Sequence, residues 1–292
     1  MEISSEYVGA ACRPLDLEIT PRQCMNYAAA VDDDNPRHLD DTRPEGIIAP
    51  PMLAVALTWR LSERWQEHWG DSGFPQEALF TQVHYSESLE WMRPMRPGDR
   101  LHIEGAVTAM APHRAGTHTI ITYTASDSRG DTVFVEQIGG LLRGVRCTDG
   151  GRGETPRFRD EPPEETAPLW KSAVSLSQFA AHRYDGLADI HFPIHISPAF
   201  AQMVGLPGIL FQGTGTLAMA IRELMLREAG NDPGRLRSAR CRFTGMVFPG
   251  TTISVELLER MPAAQGVECR FRVRDAKGKP VLSSGSVTVA LA

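Results

Sequence analysis

The spacing of apolar positions along the chain changes period twice, each time in the same order. Thr20-Pro21 reads as a helix cap followed by proline at the first helical position, opening a helix through about Ala30. Pro51 opens a longer one, Met52 to about Trp69, with Leu53, Leu57 and Leu61 at helical spacing. From Leu79 the pattern becomes that of strands, near 79–91, 100–111, 117–127 and 132–145, separated by Pro97-Gly98, Pro112-His113 and Ser128-Arg129-Gly130. The second half repeats this order: a helical stretch from Ser175 to Arg183, a helix from about Thr214 to Glu228, then strands near 236–247, 251–261, 267–274 and 280–291. Leu217, Ala218, Ile221, Leu224 and Met225 leave little of the second-half helix for water, which predicts a central helix wrapped by an antiparallel sheet. Each half alone is an α+β unit with a sheet edge to cover, and pairing the halves can join two sheets into one.

Between Thr148 and Pro168 the composition shifts to Gly, Pro, Glu, Arg and Asp, which marks residues 148–168 as a linker between domains 1–147 and 169–292. A segment recurs on either side of it. Tyr27-Ala-Ala-Ala-Val-Asp-Asp-Asp-Asn-Pro-Arg-His38 and Tyr184-Asp-Gly-Leu-Ala-Asp-Ile-His-Phe-Pro-Ile-His195 both run from tyrosine to histidine over the same distance. An internal duplication with a period of about 155 residues accounts for both observations.

Composition narrows the function classes. With 42% hydrophobic and 23% charged residues, the chain is that of a globular protein. A formal charge of −6 with no long Lys/Arg block argues against nucleic acid as a partner. The five cysteines, Cys12, Cys24, Cys147, Cys241 and Cys269, are scattered and never form Cys-x-x-Cys, which argues against a zinc site or a disulfide framework. The first residues have neither the basic start nor the apolar run of a signal peptide, and no stretch approaches about 18 apolar residues, so a cytoplasmic protein without membrane association is expected.

The motifs resemble those of the MaoC-like R-specific enoyl-CoA hydratases and 3-hydroxyacyl-thioester dehydratases, which have the hotdog fold. That family's pattern is Asp-x-Asn-Pro-x-His, followed after a short helix by His-Gly at the start of the central helix. Asp33-Asp34-Asn35-Pro36-Arg37-His38 matches the first part completely. Pro193-Ile194-His195-Ile196-Ser197-Pro198-Ala199-Phe200-Ala201 resembles the corresponding stretch without its Asn and second Asp, and Gln212-Gly213 stands for His-Gly. Arg93 to Leu101 and Arg242 to Gly250 resemble the family's strand-turn signatures. The resemblance implies an α+β double hotdog. Its substrate would be an acyl thioester of coenzyme A or acyl carrier protein, with no cofactor and no metal, and a homodimer is compatible with it.

The implied reaction adds water across the double bond of a 2-enoyl thioester, or removes it from the R-3-hydroxyacyl form. It needs a base for water, an acid for Cα and a donor for the enolate oxygen. In the first half Asp33 and His38 are spaced as the family's pair and Asn35 can orient the loop, but Ala49-Pro50-Pro51 stands where His-Gly would be, and proline has no N–H. Met52 N–H can take its place if the register shifts by one. In the second half Gly213 supplies the N–H and Gln212 stands beside it, but Ile190 occupies the carboxylate position, with Asp189 one residue away, and Phe192 the Asn position. The leading expectation is that His195, Asp189 and Gly213 N–H carry the reaction, with Asp33 and His38 taking those roles if the first half is the working one. Two rivals are a catalytically degenerate acyl-thioester-binding or assembly subunit and a hotdog thioesterase. His191 and Asp185 are further candidates in the second loop. Arg93 and Arg96 read as solvated charge or as contacts to coenzyme A phosphates, and Trp59, Trp65 and Trp69 as packing or a subunit contact.

Overall fold

One antiparallel sheet of ten strands runs through both halves. In order, the first half consists of β1 (Glu2–Ile3), β2 (Leu15–Glu18), α1 (Pro21–Ala30), α2 (Pro36–Leu39), α3 (Leu53–Glu63), α4 (Trp65–Trp69), β3 (Gln82–Trp91), β4 (Arg100–His113), β5 (Gly116–Asp127), β6 (Thr132–Arg143) and β7 (Arg146–Cys147). The second consists of β8 (Trp170–Ser175), α5 (Ala180–Ala188), α6 (Pro198–Met203), α7 (Gly213–Glu228), β9 (Leu236–Phe243), β10 (Thr252–Ala263), β11 (Gly266–Arg274) and β12 (Pro280–Val289). The computed structural model describes residues 1–163 and 165–291; Glu164 of the expected linker and Ala292, the end of the expected second domain, lie outside the described residues. The strand order is β2-β4-β5-β6-β3-β9-β12-β11-β10-β8, so β3 and β9 join the two halves edge to edge, with Glu87 opposite Cys241.

Local chemistry explains the helix starts. Thr20 caps α1 by accepting from Gln23 N–H while the Gln23 side chain accepts from Thr20 N–H, and Pro21 fills the first helical position. Asn35 caps α2 in the same way, accepting from Arg37 N–H at 3.0 Å. Leu57 and Leu61 of α3 and Leu217 and Leu224 of α7 are fully buried, as central helices require.

Three expectations need correction. The long helix over 52–69 is broken at Arg64, whose backbone (φ −95°, ψ 51°) is not helical. The break turns Trp65 and Trp69 inward, where they stack with ring centroids 4.9 Å apart and Trp69 meets Tyr123 edge-on. The stretch from Ser175 to Arg183 is not a helix throughout: 170–175 is an edge strand paired to β10, and α5 begins only at Ala180. Pairing with a distant strand, which no local pattern encodes, decides that segment. Finally, the linker is docked. Arg152 exchanges backbone hydrogen bonds with Met110, and Phe158 lies against the Arg242 guanidinium at 4.7 Å. Among the described residues no helix is long and apolar enough to cross a membrane.

Candidate active site

Equivalent hydrogen bonds fix how the two halves correspond. His38 Nδ1 donates to the carbonyl of Ile48 at 2.7 Å, and His195 Nδ1 to that of Leu210 at 2.9 Å. Ala49 N–H donates to Met95, and Phe211 N–H to Val247. Asp32 and Asp189 both adopt left-handed backbone, with φ of 52° and 59°. The halves therefore align Asp32 with Asp189, Asp33 with Ile190, Asn35 with Phe192, His38 with His195 and Pro51 with Gly213.

In the first half the loop after α1 brings an acid and a base together. Asp33 Oδ2 lies 3.6 Å from His38 Nε2, with the two side chains 6% and 0% exposed. Because Nδ1 carries the proton given to Ile48, the neutral ring presents a lone pair at Nε2 toward Asp33. Asp33 Oδ1 accepts from Asn35 N–H at 3.1 Å, which fixes the carboxyl's orientation. Burial pushes the Asp33 carboxyl above its ordinary value, against the pull of His38, and pushes the His38 imidazole below its own. A carboxyl that holds its proton more tightly and an imidazole that holds it less tightly are brought closer in proton affinity, which suits them to exchange one proton. Asn35, expected as a substrate contact, spends its side chain on the loop: Oδ1 accepts from Arg37 N–H and Nδ2 donates to the carbonyl of Asn231.

The second half lacks this pair. Ile190, 5% exposed, occupies the place of Asp33. Asp189 does not reach His195: its left-handed backbone turns the side chain outward, 54% exposed, to Arg60 at 3.0 Å. The leading expectation of an Asp189–His195 pair is thus corrected by the geometry. His191 also faces the surface, its Nδ1 3.2 Å from Glu63 and its Nε2 3.8 Å from Asp185. Among the described residues no group of His, Cys, Asp or Glu has metal-binding geometry. Phe192 packs against Trp59 and Phe200, leaving His195 in apolar surroundings that lower its affinity for a proton. Gly213 starts α7 with its N–H at the helix N-terminus, and a side chain there would meet Phe243 at 2.9 Å. Gln212 is buried with Nε2 donating to the carbonyl of Ala181, so it braces α5. At the equivalent place in the first half Pro50 and Pro51 have no N–H and Leu53 N–H is already bonded to Pro50, which makes Met52 N–H the first donor that α3 presents.

Each loop is held by the central helix of the other half. Arg222 of α7 donates to the carbonyls of Val31 and Asp32 at 2.6 and 2.9 Å, directly before Asp33. Arg60 of α3 plays the matching part at Asp189. Arg183 adds a two-pronged contact to Asp32 at 2.8 and 2.9 Å. Tyr27 and Tyr184 meet hydroxyl to hydroxyl at 2.9 Å, and since these residues are equivalent, the axis relating the halves passes between them. Sequence reasoning missed Arg222, Arg60 and Asn231, for which no local signal exists. Arg93 is bound to Asp99 and Asp127, and Arg96 to the carbonyl of Glu45, so both stabilise the turn after β3.

Comparison with known proteins gives a separate match for each half. Residues 160–267 match the model of the MaoC like domain, and residues 6–136 that of the FAS1-like dehydratase domain region. A probable enoyl-CoA hydratase 2 of Dictyostelium discoideum is 29% identical over 82% of this chain and 77% of its own length. The 3-hydroxyacyl-thioester dehydratase Y of Mycobacterium tuberculosis is 25% identical over 98% of both chains. The chain spans only 24% and 34% of two larger, multifunctional relatives. In architecture it superposes on a MaoC-like dehydratase from Phytophthora capsici with a TM-score of 0.86, over 99% of this chain and 100% of that one, at 20% identity. With a region like the FAS1-like dehydratase region in one half, a MaoC-like domain in the other and a shared sheet, the chain is related to the MaoC-like hydratases and dehydratases and is built as a double hotdog.

Proposed function

We propose that the chain catalyses the reversible hydration of a 2-enoyl thioester of coenzyme A or acyl carrier protein, with Asp33 and His38 as its acid and base. The buried Asp33–His38 pair at 3.6 Å carries this reading, because the equivalent pair in the second half is Ile190 and His195. In the hydration direction His38 Nε2 takes a proton from water as the water oxygen bonds to Cβ. The alkene electrons move to the thioester oxygen, to which the N–H of Met52, the residue that caps α3, would donate. As the enolate collapses, the protonated Asp33 gives its proton to Cα, and transfer from His38 to Asp33 restores the starting state. Arg222 and Asn35 hold the loop while this happens.

Asp33→Asn and His38→Ala are each expected to lower kcat for a panel of 2-enoyl-CoA substrates by about 10²–10⁴-fold, whereas His195→Ala stays within a few-fold of the unmodified protein. Full activity in His38→Ala would overturn the assignment. Running the panel on both carriers separates coenzyme A from acyl carrier protein, and release of free thiol would identify a thioesterase instead. The loss of an N–H at Pro51 favours one rival, a subunit that binds the thioester without turning it over, which saturable binding without hydration would reveal.

A further inference from the structure

The outer face of the sheet in the second half carries a basic cavity that the hydration chemistry does not use. Its floor comes from strands whose other side builds the core. Ser238 and Arg240 alternate with the fully buried Ala239 and Cys241, Arg270 lies between Cys269 and Phe271, and Ser286 and Thr288 flank Val287. The cavity therefore opens on the side away from the central helices and from the Asp33–His38 pair. Its roof is the docked segment between the halves, which contributes Arg157 and Arg159. The cavity volume is about 230 Å³, room for about eight waters at roughly 30 Å³ each, enough for a small polyanion.

Charge in this cavity is one-sided, although the chain as a whole carries −6. Four guanidiniums, those of Arg157, Arg159, Arg240 and Arg270, face two carboxylates, the lining Glu268 and, at the N–H of Ser284, Glu161. Glu268 meets Arg159 at 3.4 Å, Arg240 has only a loose partner in Glu90 at 3.6 Å, and Arg270 is held by Glu259 at 2.9 Å. Arg157 has no ion-pair partner among the described residues.

Backbone geometry points to the same place. One extra residue bulges β12 against both neighbours: the pairing passes from Ser283 opposite Arg242 to Ser286 opposite Arg240, and from Leu282 opposite Val273 to Gly285 opposite Phe271. Ser284 sits in the left-handed region at φ 47°, uncommon for a residue with a side chain, and its N–H donates to the Glu161 carboxylate of the roof segment. The bulge N–H is thereby taken up by the roof segment itself, and the anion is left to the arginines.

We infer that this cavity is a binding site for a phosphate-bearing anion of pyrophosphate size, gripped by floor arginines Arg240 and Arg270 and roof arginines Arg157 and Arg159. Guanidiniums suit phosphate because their planar fork donates to two oxygens at once. The bound anion ties the segment between the halves down onto the second-half sheet. The inference is independent of which residues catalyse hydration.

Arg157 and Arg159 are also trypsin sites, so occupancy can be read as protection. The test is limited trypsin digestion of the full chain, with and without pyrophosphate, against sodium chloride at matched ionic strength. Cleavage after Arg157 and Arg159 is expected to slow at least about tenfold in pyrophosphate. Arg240→Gln is expected to lose the protection while keeping enoyl-thioester hydration unchanged, and Arg157→Gln, read by cleavage after Arg159 alone because it removes its own trypsin site, repeats the test without touching the sheet. Adenosine 3′,5′-bisphosphate and coenzyme A run in parallel distinguish a free phosphate anion from the nucleotide end of the carrier, and protection by either supports the site. Equal cleavage with pyrophosphate and chloride overturns it, as does undiminished protection in Arg240→Gln.

Discussion

Replacing Glu87 with glutamine is expected to stabilise the protein at neutral pH while changing little in mild acid. Glu87 and Glu136 are fully buried on the helix-bearing face of β3 and β6, one cross-strand pair apart, with Glu87 opposite Ile138 and Leu89 opposite Glu136. Their carboxyls lie within hydrogen-bonding reach of each other, close to the Tyr27 and Tyr184 phenols. Burial pushes both well above the ordinary carboxyl value, and the neighbouring Glu87 charge raises Glu136 further. His84 Nε2 is 3.0 Å from Glu87 Oε2, yet burial pushes that imidazole down to about 4, so it brings no positive charge at neutral pH. An acid with a raised pKa in the folded state holds its proton there after the unfolded chain has released it. Its stabilising effect is complete below the unfolded value of 4.5 and is lost as pH rises toward the folded one. Over the interval in which the folded carboxyl keeps its proton and the unfolded one has lost it, the loss is about 1.4 kcal/mol per pH unit for each retained proton. That is a sizeable share of a domain's usual stability of about 5–15 kcal/mol. Glutamine keeps the shape and a donor for Glu136 but has no proton to lose. In urea titrations at about pH 5, 6 and 7, the stability of Glu87→Gln relative to the unmodified protein should therefore rise by about 1.4 kcal/mol per unit. A gap of constant size across the three values would refute a protonated carboxyl pair.

Three further outcomes are expected. Adding Ile190→Asp to His38→Ala rebuilds an acid beside His195 and Gly213 N–H, and should recover hydration at least about tenfold over His38→Ala alone if a carboxyl is the missing part. Arg222→Ala removes two charged hydrogen bonds to the Val31 and Asp32 carbonyls; urea titration should show a loss of about 2–3 kcal/mol, with kcat reduced where the variant remains folded. The pH profile of kcat/KM should have its acid limb below the ordinary histidine value of 6.5, since burial lowers His38, and its alkaline limb above the ordinary Asp value of 3.8, since burial raises Asp33.

Much of the fold was legible because its signals are local. The Thr20-Pro21 cap, the Pro97-Gly98 turn and the alternation of the long strands act over a few residues, and the structure follows them closely. The edge strands β2 and β8 were not, since four to six residues of alternation become a strand only when β4 and β10 are there to pair. At the site, counting back from each histidine correctly placed Asp33 and Ile190 in equivalent positions. The draw of Asp189 came from its chemistry, and what removes it is a left-handed backbone angle that no composition reveals. Arg222 and Asn231 lie about two hundred residues from the loop they hold, and only the folded chain brings them there.

The edge-to-edge pairing of β3 with β9 has a consequence for inheritance. If the same architecture were assembled from two identical chains, every substitution would strike both loops and both helix starts at once. Written into one gene, the loops can differ: isoleucine stands in one at position 190 and aspartate in the other at 33, and proline stands at one helix start and glycine at the other. Fusion thereby permits a division of labour that strict symmetry forbids. It also makes the half without the acid indispensable, because its helix carries Arg222 and its strand covers the sheet edge that the acid-bearing half would otherwise expose.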